Sequence, residues 1–309
     1  MEIIQGPLAG VSCAPFRVLT WRYSKPLYCC TEMISCKTLI YQPLYTQQRF
    51  IKRDPREKKL CFQLSSNDPN ELAIATKMVS DYGADSINLN CGCPKTKIRK
   101  KGSGSALLKQ PSELYKLIQA MKQNTSLPVS IKIRVDGRSG ETNNIELAKM
   151  LRDSGIDSLV VHGRHWTEQY DTPCFYEDIQ FFVNELTIPV IGNGDISCLD
   201  SLKKMIATGC HAAMIGRAGV GQPWLIEKLQ TELRGECYNP PGSSEIGALF
   251  IEHIEALADL LGHEKAAILQ ARKFAKYYAR TIEQRAEFCE KINGCENFLS
   301  FKEIVECYF

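Results

Sequence analysis

No run of about eighteen apolar residues occurs in this 309-residue chain, so no segment qualifies as a spanning helix. The amino terminus has no basic stretch followed by an apolar one. Met1-Glu2-Ile3-Ile4 reads as the start of a strand, and no secretory signal is expected. Charge imbalance is almost absent: 38 Lys and Arg face 35 Asp and Glu, so the total of +3 identifies no partner. Zinc-ribbon spacing is missing as well. Cys91-Gly92-Cys93 is C-x-C rather than C-x-x-C, and no structural metal is expected. The 14 cysteines fall in the interiors of expected strands and helices rather than in a disulfide framework, which points to a reducing, cytoplasmic setting.

The length suits one large core with a smaller domain. Eight short stretches read as buried strands with polar or glycine-rich ends: 3–8, 27–32, 60–64, 86–90, 129–134, 159–164, 190–195 and 213–217. Helical patterns lie between them, over 69–83, 112–123, 143–154, 176–185 and 199–208. The first opens on Asp68-Pro69-Asn70-Glu71, which reads as a capping box with proline at the first helical position. This alternation predicts an α/β fold, an eight-stranded (β/α)8 barrel over residues 1–238, with a doubly wound open sheet as the alternative. Asn239-Pro240-Pro241-Gly242 is a linker. Beyond it only helices are expected, near 246–261, 264–281, 284–292 and 300–308, forming a bundle over 239–309.

Parallel barrels place their chemistry at the carboxyl ends of the strands. The last two strands end in Gly192-Asn193-Gly194-Asp195 and Gly216-Arg217, which fits a phosphate site more naturally than two coincidental tight turns. Gln63, Lys132 and His162 end neighbouring strands. Lys132 could instead pair with Glu32, and His162 alone is more often a core histidine. A cation here could stabilise negative charge on a reduced flavin ring. Cys93 sits in a short loop between glycine and proline, with Cys91 as its nearest competitor. No histidine lies nearby in sequence as a base, which favours proton donation over a hydrolase nucleophile. Lys95, Lys97, Arg99, Lys100 and Lys101 follow directly. A second basic cluster covers 52–59, and a third places Arg272, Lys276 and Arg280 on one helical face. Each alone reads as a solvated surface; together they suggest a nucleic-acid face.

These residues resemble the tRNA-dihydrouridine synthases over nearly the whole chain. Gly6-Pro7-Leu8-Ala9-Gly10 is similar to the family's opening A-P-M-x-G, and Thr31-Glu32-Met33 to its S/T-E-M. Asn90-Cys91-Gly92-Cys93-Pro94 matches N-x-G-C-P, and Gly104-Ser105-Ala106-Leu107-Leu108 the motif that follows it. Lys132-Ile133-Arg134, His162-Gly163-Arg164, Asn193-Gly194-Asp195 and Ile215-Gly216-Arg217 match in order. The tail resembles the bacterial B type, and the Cys-Gly-Cys wording is shared with C-type members.

The resemblance implies FMN over the barrel mouth and NADPH as reductant. Pro7, Leu8 and Ala9 would border the ring, with Gln63, Lys132 and His162 at its polar parts. Asn193, Gly194, Asp195, Gly216 and Arg217 would hold its phosphate end. It further implies reduction of a tRNA uridine, with Cys93 giving the proton to C5 opposite a hydride arriving at C6. Asn90 and Arg134 would meet the uracil edge, and Lys95, Lys97, Arg99, Arg272 and Lys276 the RNA. A monomer is expected. Two other readings stay open at this point: a flavin barrel acting on a free pyrimidine, similar to dihydroorotate dehydrogenase, and a non-enzymatic RNA-binding barrel.

Overall fold

The computed structural model describes residues 1–138 and 141–309. Eight parallel strands close into a barrel in sequence order, with β8 pairing back to β1 through Glu2↔Ala212 to Gln5↔Ile215. They are β1 (Glu2–Gln5), β2 (Cys29–Ser35), β3 (Leu60–Ser65), β4 (Ser86–Cys91), β5 (Val129–Val135), β6 (Ser158–His165), β7 (Val190–Asn193) and β8 (Ala212–Ile215). An open doubly wound sheet is therefore not the architecture. Three strands stop earlier than expected. β1 ends before Gly6, and β7 and β8 end before Gly194 and Gly216. Gly194 has φ +137° and Asp195 φ +49°, outside the extended region, so the polar tail of β7 is loop.

The strands are nearly continuous apolar runs because both faces are buried. Period-two alternation sorts the faces. Ile4, Cys30, Cys61, Val160, Ile191, Ala212 and Met214 fill the interior, while Ile3, Phe62, Leu89 and Ile131 pack outward on the helices. The same parity carries polar side chains inward two residues further along: Gln63 after Cys61, His162 after Val160, and Asn193 after Ile191.

The helices at 69–81, 111–122, 142–153, 176–185 and 199–207 agree with expectation to within two residues. Helices at 14–23, 36–41, 44–51 and 225–233 were not anticipated. Asp68 does cap its helix, accepting from the Asn70 and Glu71 N–H groups, but the box does not close. The Asp68 N–H donates to Ser66 Oγ at 3.1 Å, and Glu71 instead accepts from the Ser66 hydroxyl.

Four helices follow the linker: Ser243–Leu261, Glu264–Tyr278, Arg285–Gly294 and Phe298–Tyr308. Their core is not separate from the barrel. Cys13 at the start of the first barrel helix, Phe16 and Leu19 within it, and Val220 and Trp224 after β8 share one apolar cluster with Phe250, Phe274 and Tyr278. Among the described residues, no helix is long and apolar enough to cross a membrane.

Candidate active site at the carboxyl end of the barrel

A cavity of about 770 Å³ opens at the carboxyl ends of the strands. That size lies within the range of roughly 300–1,000 Å³ taken by small-molecule sites. It brings together Cys93, Gln63, Asn90, Lys132, Arg134 and His162. The Pro7-Leu8-Ala9 loop, Lys95, and the Asn193–Asp195 and Gly216–Arg217 loops complete the predicted part of its wall. Lys97, Arg99, Arg272 and Lys276 do not line it.

One hydrogen-bond chain crosses three strands to the cysteine loop. Asn88 donates to Ser130 Oγ at 2.8 Å, and Gln63 donates to Asn88 Oδ1 at 2.8 Å. Asn90 then donates to Gln63 Oε1 at 2.9 Å, and its own Oδ1 accepts from the Cys93 N–H at 3.0 Å. Asn88, which the motifs do not single out, orients the Gln63 amide. The cysteine loop is tightly fitted. A Cβ on Gly92 would lie 3.0 Å from the Ile133 backbone, and one on Gly104 (φ +65°) would lie 2.7 Å from the Cys93 carbonyl oxygen. The two candidate thiols are thereby separated. Cys91 ends β4 facing outward, fully buried, and burial pushes its pKa up; Cys93 opens on the cavity.

Lys132 does not pair with Glu32. Glu32 is held by Arg49 at 2.7 Å and by the Gly10 N–H at 2.5 Å. The Lys132 ammonium donates to Asn193 Oδ1 at 2.6 Å, and Asn193 in turn donates to the Met214 carbonyl. The Asn193 side chain thus positions Lys132, and any anion contact falls to its main chain. Burial, followed by the nearby Arg134 charge, pushes the Lys132 pKa down to about 7.

This value carries a pH prediction. The unfolded chain keeps that proton up to the ordinary value of 10.5, whereas the folded, cofactor-free chain releases it near 7. Unfolding therefore takes up a proton between those values, and stability rises with pH there. Urea midpoints of wild type and Lys132→Met, compared from pH 6 upward and below the range of thiol ionisation, should diverge in favour of wild type as pH rises. Parallel curves would remove the buried cation.

His162 is neutral: burial, with Lys132 and three arginines around it, holds its pKa well below the ordinary value. Arg164 Nη1 lies 2.9 Å from His162 Nε2. A guanidinium only donates, so Nε2 accepts and the ring proton sits on Nδ1. Arg164 itself is buried. It also holds both Asp195 oxygens at 2.6 Å and the Thr172 carbonyl. The Asp195 carboxylate is thus engaged by Arg164 and by the Cys174 N–H, which maintains its positive φ. Its expected place at a phosphate end falls to the loop it shapes. Arg164 was not named as a site residue, although the strand parity that turns His162 inward extends to it. Tyr170, which stacks under Arg217 with the guanidinium 3.5 Å from the ring centre, and Tyr277, a wall residue from the bundle, carried no sequence signal.

Five basic side chains, Lys95, Lys132, Arg134, Arg164 and Arg217, line the cavity, and among the described residues of its wall the one carboxylate is Asp195, already paired. Arg134 donates to the carbonyls of His165 and Glu168 and lies over the Tyr170 ring. That excess of positive charge suits an anion.

A family model for dihydrouridine synthase matches residues 4–308. The chain belongs to the dihydrouridine synthase family. It is 32% identical to the tRNA-dihydrouridine synthase B of Proteus vulgaris, across 99% of this chain and 95% of that one. It is 31% identical to the protein of that name from Escherichia coli K12, across 100% and 96%. Membership and the B-type relatives agree with the motif reading.

The family's flavin fits the residues present. A Cβ on Gly216 would meet only Leu8, at 3.9 Å, so its absence leaves the cavity open beside the Gly216-Arg217 peptide. Arg217 is exposed, and no carboxylate among the described residues pairs with it. The basic clusters divide. Lys95, Lys97, Lys100 and Lys101 are exposed beside the mouth, whereas Arg99 stacks on Trp166 at 3.3 Å. The 52–59 cluster lies at the opposite end of the barrel, ahead of β3, where Asp85 and Asp54 neutralise Arg53 and Arg56. The third face is shorter than expected. Its helix ends at Tyr278, and Arg280 turns towards the barrel.

Proposed function

We propose that this chain reduces a uridine of tRNA to 5,6-dihydrouridine, with FMN bound in the cavity and Cys93 as proton donor. One observation carries the reading: a thiol in a loop held through its main chain opens on the same cavity as Lys132 and Arg217. FMN, when bound and reduced by NADPH, would supply the hydride for uracil C6. The residues of this chain do the rest. Gln63 and Lys132 would meet the polar edge of the ring, Pro7, Leu8 and Ala9 would border it, and His162 would offer its Nδ1–H. The peptides of Asn193, Gly194, Asp195 and Gly216, with the Arg217 charge, would take the phosphate end.

Asn90 and Arg134 orient the uracil. Asn90 keeps an amide hydrogen beyond its bond to Gln63, and Arg134 presents a fixed cation to the carbonyl side. Cys93 delivers its proton to C5, so that hydride and proton together saturate the C5=C6 bond. The uridine must leave its stack to reach this depth. Lys95 and Lys97 beside the mouth, with Arg272 and Lys276 on the bundle, supply charge for the RNA backbone, and Arg99 presents its guanidinium plane. The chain acts as a cytoplasmic monomer.

The purified chain, given FMN, NADPH and unmodified tRNA, is expected to produce dihydrouridine, read as a two-hydrogen mass gain in one tRNA fragment. Turnover of free dihydroorotate with no change in tRNA would decide for the free-pyrimidine reading.

A further inference from the structure

We propose that Arg280, outside the barrel, is a positioning residue for the anion end of the cavity, so that the helical bundle completes the phosphate subsite. The proposal rests on the flavin reading above. Arg280 lies in the turn Ala279–Thr281 after the second bundle helix. Its Nη1 donates to the Val220 carbonyl at 2.6 Å, and its Nη2 approaches the Arg217 carbonyl at 3.4 Å. Those two carbonyls flank the tight turn Arg217–Gly219, whose Gly219 and Val220 N–H groups bond back to the Gly216 and Arg217 carbonyls and whose Arg217 and Ala218 line the cavity.

The turn is held on its other side by the barrel. Gln5 donates to the Ile215 carbonyl, and a Cβ on Gly219 would lie 2.5 Å from Gln5 Oε1. Next to it, Gly221 has φ +69°, and a Cβ there would lie 2.7 Å from the Tyr277 backbone. Tyr277 itself lines the cavity. The loop is therefore clamped between Gln5 below and the bundle outside. Arg280 is only partly buried, and no carboxylate among the described residues pairs with it. Its charge adds to the field at the anion end, while its hydrogen bonds fix the orientation of the turn that carries Arg217 and Ala218 on the cavity wall. A helix face facing only RNA would have no reason to turn this arginine onto the loop carbonyls.

The test compares FMN with riboflavin, which has the ring but no phosphate, by fluorescence titration of the full-length apoprotein. Arg280→Ala should weaken FMN binding about tenfold, as expected for a lost charged hydrogen bond, and change riboflavin binding less than twofold. Arg280→Lys keeps the charge but reaches one carbonyl, and should fall between; it also serves if the alanine variant does not fold. Equal losses for both ligands would make Arg280 a general staple and overturn the proposal, as would unchanged FMN affinity. Arg217→Ala separates the two levels of inference. If it shows the phosphate-selective loss and Arg280→Ala does not, the positioning role alone falls. If neither discriminates FMN from riboflavin, the phosphate is not at this loop and the cofactor placement falls with it.

Discussion

Cys93→Ala is expected to keep flavin and tRNA binding and to lose turnover by roughly 10²–10⁴-fold, the usual contribution of a positioned general acid. The substitution removes only the sulfur. The bonds that hold the loop use the main chain of Cys93: its N–H donates to Asn90 Oδ1, and its carbonyl accepts from the Ser105 N–H at 3.1 Å. Alanine preserves both. Cys91 cannot take over, because it packs outward beneath the helices and burial holds it protonated. Single-turnover oxidation of the reduced enzyme by unmodified tRNA reads the chemistry, and filter binding reads the affinity. Dihydrouridine formation at the wild-type rate would remove Cys93 from proton transfer.

Deleting residues 243–309 should abolish a stable barrel, not merely weaken RNA binding. The division near residue 239 suggests a detachable module, but the apolar cluster crosses it. Phe16, Leu19, Val220 and Trp224 are almost fully buried, and they belong to the cluster built by the bundle helices. Uncovering four such side chains costs at most on the order of 6–12 kcal/mol. A whole domain is stable by only roughly 5–15 kcal/mol. The loss therefore matches the available stability. The truncated chain is expected in the insoluble fraction, or soluble with a collapsed near-ultraviolet dichroism signal. A soluble, monomeric truncation melting within a few degrees of the full chain would show two independent units, and tRNA affinity could then be assigned to each separately.

Much of the site was legible because strand geometry is local. Once Cys61, Val160 and Ile191 point inward, Gln63, His162 and Asn193 must do so two residues later, whatever the rest of the chain does. The glycines of the cysteine loop were legible as well, although their reason was not. Gly92 is needed for the approach of the Ile133 backbone, 41 residues away in the chain, and that neighbour appears only once β4 and β5 pair. The surface was least legible. Three basic clusters looked alike as strings. One lies at the far end of the barrel with two of its arginines neutralised by Asp54 and Asp85, and another gives up Arg280 to the loop after β8.

The amino-acid sequence alone determined the barrel, the strands that compose it and the end that carries chemistry. Buried parallel strands require apolar runs, and only functional ends tolerate glycine and charge there. Tertiary structure decided which charges act. Arg164 meets Asp195 across 31 residues, Arg280 meets Val220 across 60, and Lys132 meets Asn193 across 61. A charge shows its sign in a sequence, but its partner is set by distances of a few ångströms that exist only after the barrel has closed.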